Sequence, residues 1–140
     1  MDEDEARRRL AAARVAHLAT VRPDGRPDVV PCCFALAKDG RLFTAVDGKP
    51  KSTQRLQRLA NMRARPDVTL LVDVYDEDWA RLWWVRVRGV ARVVPDGDPA
   101  VTLALDLLAA KYPQYRAVPP AGPVLEISAG AIRWWTGSAE

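Results

Sequence analysis

Two lysines and two arginines are grouped in one short segment, in a pattern that suits the binding of a phosphate group. Lys49 and Lys51 flank a proline, and Ser52 follows where a helix is expected to begin. The start of a helix offers free backbone N–H groups and a positive dipole end, and a serine there can cap it. Lys51, Arg55 and Arg58 recur at i, i+4 and i+7, so their cationic ends share one helix face. This pattern indicates an anion-binding site.

The same basic residues also fit a second interpretation. Charged helix faces are common, and the chain is basic, with a formal net charge of +3 and a pI near 9.1. In that case Arg55 and Arg58 are solvated side chains without a ligand. The residues alone leave both interpretations open.

Other side chains that could carry chemistry are few. The chain has two cysteines, Cys32 and Cys33, and one histidine, His17. Adjacent cysteines in a strand point to opposite faces, so we expect free, buried thiols in a reducing compartment rather than a disulfide. This set has no zinc-binding spacing, and nothing near it supports a Cys–His nucleophilic pair. We therefore expect no metal site, and no catalytic side chain is identified.

Composition restricts the class of protein. The chain has 140 residues, of which 49% are hydrophobic and 28% charged, which suits one globular domain over residues 1–140. No apolar run approaches the ~20 residues of a membrane span, and the opening MDEDEARRRL is unlike a signal peptide. Basic residues alternate with acidic ones along most of the chain. We expect a cytoplasmic protein that binds neither membranes nor nucleic acid.

Hydrophobic periodicity and turn residues predict a mainly β protein with flanking helices. Helices are predicted over residues 2–16, 51–64 and 99–111, and strands over 17–21, 26–36, 41–46, 68–75, 82–94 and 124–136. Pro27 and Pro31 lack an N–H group, so the strand 26–36 should lie at a sheet edge or contain a bulge. Six or so mostly antiparallel strands with helices at two crossings predict a small barrel or a strongly curved sheet.

The segment 82–94 is predicted to be the longest strand, and its two faces differ. One face is a core face, made of Trp83, Val85, Val87, Gly89 and Ala91. The other mixes bulky apolar groups with guanidinium groups: Leu82, Trp84, Arg86, Arg88, Val90 and Arg92. Such a mixture favours a partly buried surface, a subunit interface or a ligand wall. A bulge is predicted in the last strand at Ala129 and Gly130.

The order of these elements resembles a known group, the flavin-binding split β-barrels of the pyridoxamine 5′-phosphate oxidase superfamily. Within it, the chain resembles the actinobacterial class that depends on the deazaflavin F-420. The segments that carry the resemblance are HLATV, VVPCCFAL, RLFTAVD, GKPKSTQRLQRLANMRARPDV and LLVDVYDEDWARLWWVRVRGVARV. The resemblance covers nearly the whole chain and implies an antiparallel split β-barrel of the FMN-binding type.

The resemblance also implies a site, placed in a cleft between two protomers of a homodimer. It implies that the cofactor phosphate and tail are held by Lys49, Lys51, Ser52 and Arg55, with Arg58 as a weaker candidate. The residues implied to lie along the cofactor ring are Thr20, Pro31, Cys32 and Thr44. Trp84 and Arg86 would close the cleft together with Trp83. Arg133 and Trp135, in the segment IRWW, would meet a small-molecule substrate.

Structural roles remain an alternative for several of these residues. Thr20 and Thr44 suit a strand without any ligand, and Trp83 suits the core. His17 begins a strand and suits a structural role.

The function implied by the resemblance is hydride transfer between bound F-420 and a small unsaturated or heteroaromatic substrate. In such an enzyme the cofactor carries the chemistry, and the protein binds and orients it. One alternative is an FMN-binding oxidoreductase like pyridoxamine phosphate oxidase, and another is a flavin- or F-420-binding protein without enzymatic activity. The resemblance and the physics of a helix start together favour a phosphate site over a solvated face.

Overall fold

One antiparallel sheet of seven strands, flanked by helices, makes up the described part of the chain. The computed structural model describes residues 1–46 and 53–138, with the backbone alone for residues 53–56. The strands are β1 (Ala16–Val21), β2 (Pro27–Cys32), β3 (Ala35–Leu36), β4 (Leu42–Ala45), β5 (Asp67–Val74), β6 (Trp83–Val93) and β7 (Val124–Thr136). The helices are α1 (Glu3–Ala12), α2 (Thr53–Ala64), α3 (Pro99–Lys111) and α4 (Pro113–Ala117), with a short 3-10 helix at Trp79–Arg81. No helix in these ranges is long and apolar enough to cross a membrane.

The strand order shows that the sheet curls into a split barrel. The order is β2-β1-β5-β6-β7-β4-β3, so β2 and β3 lie at opposite ends of the sheet. Only Cys33 and Phe34 connect these two strands. A two-residue connection can join the ends of a seven-stranded sheet only if the sheet curls back on itself. The predicted fold class is confirmed, with β3 as the strand beyond the six that were predicted.

The prediction of one strand over residues 26–36 is wrong. The chain leaves its partner β1 at Cys32 and pairs next with β4, through Ala35 opposite Phe43. The prediction that Pro27 and Pro31 belong to an edge strand is confirmed, since β2 ends the sheet. The prediction that residues 82–94 form the longest strand is also wrong, because β7 has 13 residues and β6 has 11.

The two faces of β6 match the predicted alternation. Val85, Val87 and Ala91 are buried, and Trp83 packs against the same core. Between Val87 and Gly89 the register with β7 shifts, which leaves Gly130 and Ala131 opposite Arg88 alone. This bulge lies one residue from the predicted position. A side chain at Gly89 would place its Cβ 2.5 Å from the carbonyl oxygen of Ser128, so the backbones approach closely here.

Tyr112 holds the connection between β2 and β3, which we call the β2–β3 corner (Cys33 and Phe34). Its hydroxyl accepts a hydrogen bond from the backbone N–H of Phe34 at 3.1 Å. The single proton of the same hydroxyl can be donated to the carbonyl oxygen of Arg14 or to that of Phe34, each 3.0 Å away. Phe34 is fully buried, so its backbone groups depend on this hydroxyl in place of a strand partner.

Lys111 lies beside the same corner and gives the protein a predicted pH dependence. Its Nζ lies 3.8 Å from the centre of the Phe34 ring and has no hydrogen-bond partner among the described residues. Burial, with the positive charge of Arg14, lowers the pKa of Lys111 from 10.5 to about 8. Between those pH values the unfolded chain holds a proton that the folded protein has released, so stability should rise with pH there.

Lys111→Met should remove this rise. We expect the variant to be more stable than the parent protein at pH 7, with a gap that narrows as the pH approaches 10. Urea denaturation at each pH would measure the difference in the free energy of unfolding between the two proteins. The matched control is Lys38→Met, at an exposed position. Parallel stability profiles for the parent and Lys111→Met would contradict the prediction.

Candidate functional site

The edge strand β2 and helix α2 enclose a hollow of about 380 Å³. Three successive residues of β2, Asp28 to Val30, form one wall, and the polar side of α2 forms the other. The lining residues are Thr20, Arg22, Asp28, Val29, Val30, Gln57, Arg58 and Asn61. This wall lies at the open end of the barrel, because β2 has a strand partner on one side only within the described sheet.

A second hollow of about 270 Å³ continues along β2 towards the β2–β3 corner. It is lined by Val15, Pro31, Cys32, Cys33, Ala45, Arg58 and Tyr115. Both hollows share Arg58, so we treat them as one feature, the β2 groove. Together they fall within the usual size range of small-molecule sites.

Asn61 organises the polar end of the β2 groove. Its Nδ2 donates to the Thr20 hydroxyl at 3.0 Å and to the Asp28 carboxylate at 2.9 Å. Its Oδ1 accepts from Gln57 Nε2 at 2.7 Å. Asn61 is completely buried, and a buried amide is stable only when its polar atoms are satisfied in this way. The network fixes α2 against the β1–β2 hairpin, and Arg22 completes it with a 3.5 Å contact to Asp28.

Arg58 is the cationic group of the β2 groove. Its Nε is buried and has no hydrogen-bond partner among the described residues. No ion pair within the described ranges includes it, and the carboxylate of Asp28, which also lines the groove, contacts Arg22 and Asn61. A buried guanidinium N–H without an acceptor is costly, so the site favours an anionic or carbonyl-bearing ligand.

The two cysteines line the lower part of the β2 groove as half-buried free thiols. Cys32 packs against the main core, whereas Cys33 packs with Leu108 and Tyr112, so their side chains diverge as expected. Burial raises the pKa of the Cys32 thiol to about 11. A thiol with this pKa is protonated at neutral pH and is a poor nucleophile.

The structure places the predicted ring residues as follows. Thr20, Pro31 and Cys32 line the β2 groove. Thr44 is not among the lining residues and lies directly behind them: it is 1% exposed, and its hydroxyl donates to the carbonyl oxygen of Cys33 at 2.6 Å. Contact between these residues and a cofactor stays a prediction.

The predicted phosphate ligands fall mostly outside the described residues. Lys49, Lys51 and Ser52 are not within the described ranges. Arg55 lies on α2, where the backbone alone is described. Arg58 is one turn further along α2, and it is the basic residue of this segment that the structure places in the groove.

The other four predicted residues meet on the outer face of the barrel. Trp84 is directly opposite Trp135, and Arg86 is directly opposite Arg133, in the pairing of β6 with β7. The Arg86 guanidinium lies 5.1 Å from the centre of the Trp84 ring. We call these four residues the Arg–Trp patch. None of these four residues lines either hollow of the β2 groove, so the patch is separate from the β2 groove of the same chain.

His17 takes no part in the groove. Its Nδ1 lies 3.9 Å from the carboxylate of Asp73, and both side chains are partly exposed on the outer face. No group of three or more His, Cys, Asp or Glu side chains in the described ranges is arranged to hold a metal ion.

Sequence reasoning missed the polar network. The available signal is the spacing of Gln57 and Asn61 at i and i+4 beside Arg58, which gives α2 a polar stripe next to its apolar one. The role of Asp28 in the network was not predictable from local sequence, because it depends on the strand register that places Asp28 opposite Thr20.

Comparison with known proteins gives a family and a fold. The family model described as "Pyridoxamine 5'-phosphate oxidase" matches residues 2–136. No curated protein sequence matches the chain.

Several solved structures share the fold at low sequence identity. A conserved hypothetical protein from Mycobacterium tuberculosis aligns with a TM-score of 0.78 at 24% identity, covering 98% of this chain and 86% of that one. An FAD-binding protein from Mesorhizobium loti aligns with a TM-score of 0.70 at 22% identity, covering 96% and 94%. The heme storage protein HutZ from Vibrio cholerae aligns with a TM-score of 0.74 at 14% identity, covering 96% and 93%.

Proposed function

We propose that this chain, which belongs to the pyridoxamine 5′-phosphate oxidase family, is an oxidoreductase that binds the deazaflavin F-420 in its β2 groove. FMN is the alternative cofactor. The observation that carries the proposal is Arg58, a partly buried cation whose Nε has no acceptor among the described residues and which faces both hollows of the groove. F-420 and FMN both combine a flat conjugated ring with a phosphate group.

The residues of the groove fit such a molecule. Arg58 would neutralise negative charge together with the predicted ligands Lys49, Lys51, Ser52 and Arg55, which come shortly before it in the sequence. Pro31 and Cys32 would lie beside the ring, and the Asn61 network keeps that wall rigid. The bound cofactor would supply hydride transfer to or from a small unsaturated or heteroaromatic substrate. The chain itself would bind and orient the cofactor and would exclude water from it.

Binding without turnover is the second candidate function. Its support is that no strong acid, base or nucleophile is evident among the described lining residues: Asp28 is engaged by Arg22 and Asn61, and the Cys32 thiol is protonated. The heme storage protein shows that the same fold occurs in a protein named for storage. In this case the chain would sequester F-420 or a flavin.

Titration of the purified protein with F-420, FMN, FAD and hemin, each followed by absorbance and fluorescence, tests the proposal. We expect F-420 to bind most tightly and FMN next. Turnover is then measured with reduced F-420 and a panel of enones and quinones. Tight binding without turnover would favour the second candidate, and failure of both F-420 and FMN to bind would overturn both. Preferential binding of hemin would point to a different ligand class.

We further propose that the protein is a homodimer with the cofactor at the subunit interface. The outer face of β1, β5 and β6 borders a mainly apolar hollow of about 550 Å³, lined by Ala19, Val21, Thr69, Arg88 and Val90, among others. Val90 is 51% exposed there, which suits a surface that a second copy covers. Trp84 and Arg86 lie on the same face of β6 and would close the partner's groove. The free thiols suit a cytoplasmic location.

Val90→Asp should dissociate this dimer, because it would place a carboxylate in the apolar interface. Light scattering at micromolar concentration should show twice the chain mass for the parent protein and the chain mass for the variant. Val118→Asp is the matched control, since Val118 is 73% exposed at the end of α4, away from the sheet. A parent protein with the mass of one chain would contradict the prediction.

A further inference from the structure

Two adjacent thiols, Cys32 and Cys33, line the same hollow at the lower end of the β2 groove. Both are free and half-buried, and the hollow beside them has a volume of about 270 Å³. The proposed function places Cys32 beside the cofactor ring and gives no role to Cys33. A thiol that faces open space can be modified, whereas a thiol packed in a core is inert.

The surroundings of the two thiols differ. Burial raises the pKa of the Cys32 thiol to about 11, so Cys32 holds its proton at neutral pH. Cys33 lies in the β2–β3 corner, beyond the end of β2, and packs beside Tyr112 and Tyr115. The Tyr112 hydroxyl fixes the backbone of this corner, so Cys33 is held at the wall of the hollow. Modification should therefore be selective for Cys33.

Two cations without a hydrogen-bond acceptor among the described residues lie near the corner. Arg58 lines the same hollow, and its Nε is buried. The buried Nζ of Lys111 lies 3.8 Å from the centre of the Phe34 ring and 5.3 Å from that of Tyr112. Burial lowers the pKa of Lys111 to about 8, so it still carries its proton at pH 7.

The charge of these two cations is not compensated within the described ranges. No ion pair there includes Arg58 or Lys111. A positive field of this kind favours the thiolate form of a nearby cysteine. It also attracts a reagent that brings a carboxylate into the hollow.

We propose that Cys33 is a thiolation site, which exchanges with small disulfides that carry carboxylate groups. The Cys33 thiolate attacks one sulfur of the disulfide, and a new S–S bond joins Cys33 to half of the reagent. The other half leaves as a thiolate and takes up a proton. The disulfide is the oxidant, and the charge of Arg58 and Lys111 stabilises first the Cys33 thiolate and then the attached carboxylate.

The attached group fills the lower hollow, so the modified protein cannot hold a cofactor in the β2 groove. This consequence rests on the proposed function, whereas the exchange itself does not. In a reducing compartment the thiol stays free, and the bond forms when the surrounding pool of small thiols becomes oxidised. Thiolation of Cys33 therefore blocks the groove on oxidation and opens it again on reduction.

Mass spectrometry of the intact protein, after treatment with two disulfides of similar size, tests the inference. Dithiodipropionate carries carboxylates and cystamine carries ammonium groups, and each rate is divided by the rate of the same disulfide with 2-mercaptoethanol. We expect a single added group per chain, at Cys33, and a normalised rate about threefold or more higher for dithiodipropionate. Fragmentation of the peptide that holds both cysteines locates the added group without any variant.

Variants separate the two thiols and test the role of charge. Cys33→Ser should abolish the reaction, whereas Cys32→Ser should react as the parent protein does. Lys111→Met should remove most of the preference for dithiodipropionate, and Lys38→Met, at an exposed position, should keep it. Addition at Cys32, equal normalised rates for the two disulfides, or no addition to the folded protein would overturn the inference.

Cofactor titration of the modified protein tests the consequence. The dithiodipropionate adduct should bind F-420 or FMN at least about tenfold more weakly than the untreated protein, and dithiothreitol should restore binding. Treated and untreated Cys33→Ser should bind alike. Unchanged cofactor binding by the adduct would overturn the block of the groove. If the untreated protein binds neither cofactor, the proposed function fails, and the mass measurement still decides whether Cys33 is thiolated.

Discussion

Arg58→Gln is expected to weaken cofactor binding by about 10- to 100-fold, because it removes a charged donor from the centre of the β2 groove. The guanidinium faces both hollows, and its buried Nε lacks an acceptor among the described residues. Its loss should therefore cost the ligand an interaction while relieving the folded protein of an unsatisfied donor. The stability of the cofactor-free variant should be unchanged or slightly higher.

The measurement is a titration with F-420 and FMN, paired with thermal unfolding of the same samples. Arg63→Gln is the matched control, since it removes the same charge from the exposed C-terminal end of α2, outside the groove. Arg58→Lys should recover part of the affinity, because an ammonium keeps the charge but loses the planar fork of donors. Similar losses in the Arg58 and Arg63 variants would show that general charge, rather than the groove, governs binding.

Tyr112→Phe is expected to destabilise the protein by about 2–4 kcal/mol, the cost of leaving buried backbone groups without a partner. One hydroxyl accepts from the N–H of Phe34 and has its single proton within reach of two carbonyl oxygens, those of Phe34 and Arg14. These groups lie where the chain crosses from one end of the sheet to the other, so no strand can replace the lost bonds. The change removes one oxygen atom and keeps the aromatic ring, so little packing is lost.

Urea denaturation measures this loss directly. Tyr75→Phe removes the same atom from a residue that is 75% exposed, and it should change the stability by less than about 0.5 kcal/mol. We also expect Tyr112→Phe to weaken cofactor binding, because Cys33 of the β2–β3 corner lines the lower part of the groove. A variant as stable as the Tyr75 control would show that water or a backbone shift satisfies Phe34.

The sequence was sufficient to predict most of the strands, because their signals are local. Alternation along residues 82–94 identified the buried side of β6, and the prolines identified β2 as an edge strand. The β2–β3 corner was not predictable in this way. An extended segment has the same pattern of apolar and polar residues whether it stays paired with one strand or moves to another. The residue that holds the corner, Tyr112, is also distant in sequence.

The candidate site was likewise predictable only in part from local sequence. The spacing of Lys49, Lys51 and Ser52 near a helix start predicts a phosphate site, and these residues lie outside the described ranges. Arg58 is a weaker candidate from the sequence because it is further from that helix start, yet the structure places it in the β2 groove. Asn61 and Thr20 are 41 positions apart in the chain, and local pattern carries no information about such a pair.

The resemblance implies different roles for Trp84 and Arg86 on one side and for Arg133 and Trp135 on the other. Their alignment in neighbouring rows depends on the register between β6 and β7, including the bulge at Gly130 and Ala131. A register shifted by one residue would place Arg133 on the inner face. The Arg–Trp patch therefore depends on a strand pairing that neither segment reveals alone.

The strand order also has a consequence for how the chain reaches its native state. β1 with β2, and β3 with β4, are hairpins that can form early from neighbouring residues. β4, however, is joined to the rest of the sheet by β7, whose residues begin about eighty positions later. Loop closure over such a distance is slow and comes late. During synthesis the hairpin of β3 and β4 therefore keeps an unpaired strand edge until β7 emerges. The chain is most prone to aggregation in this interval.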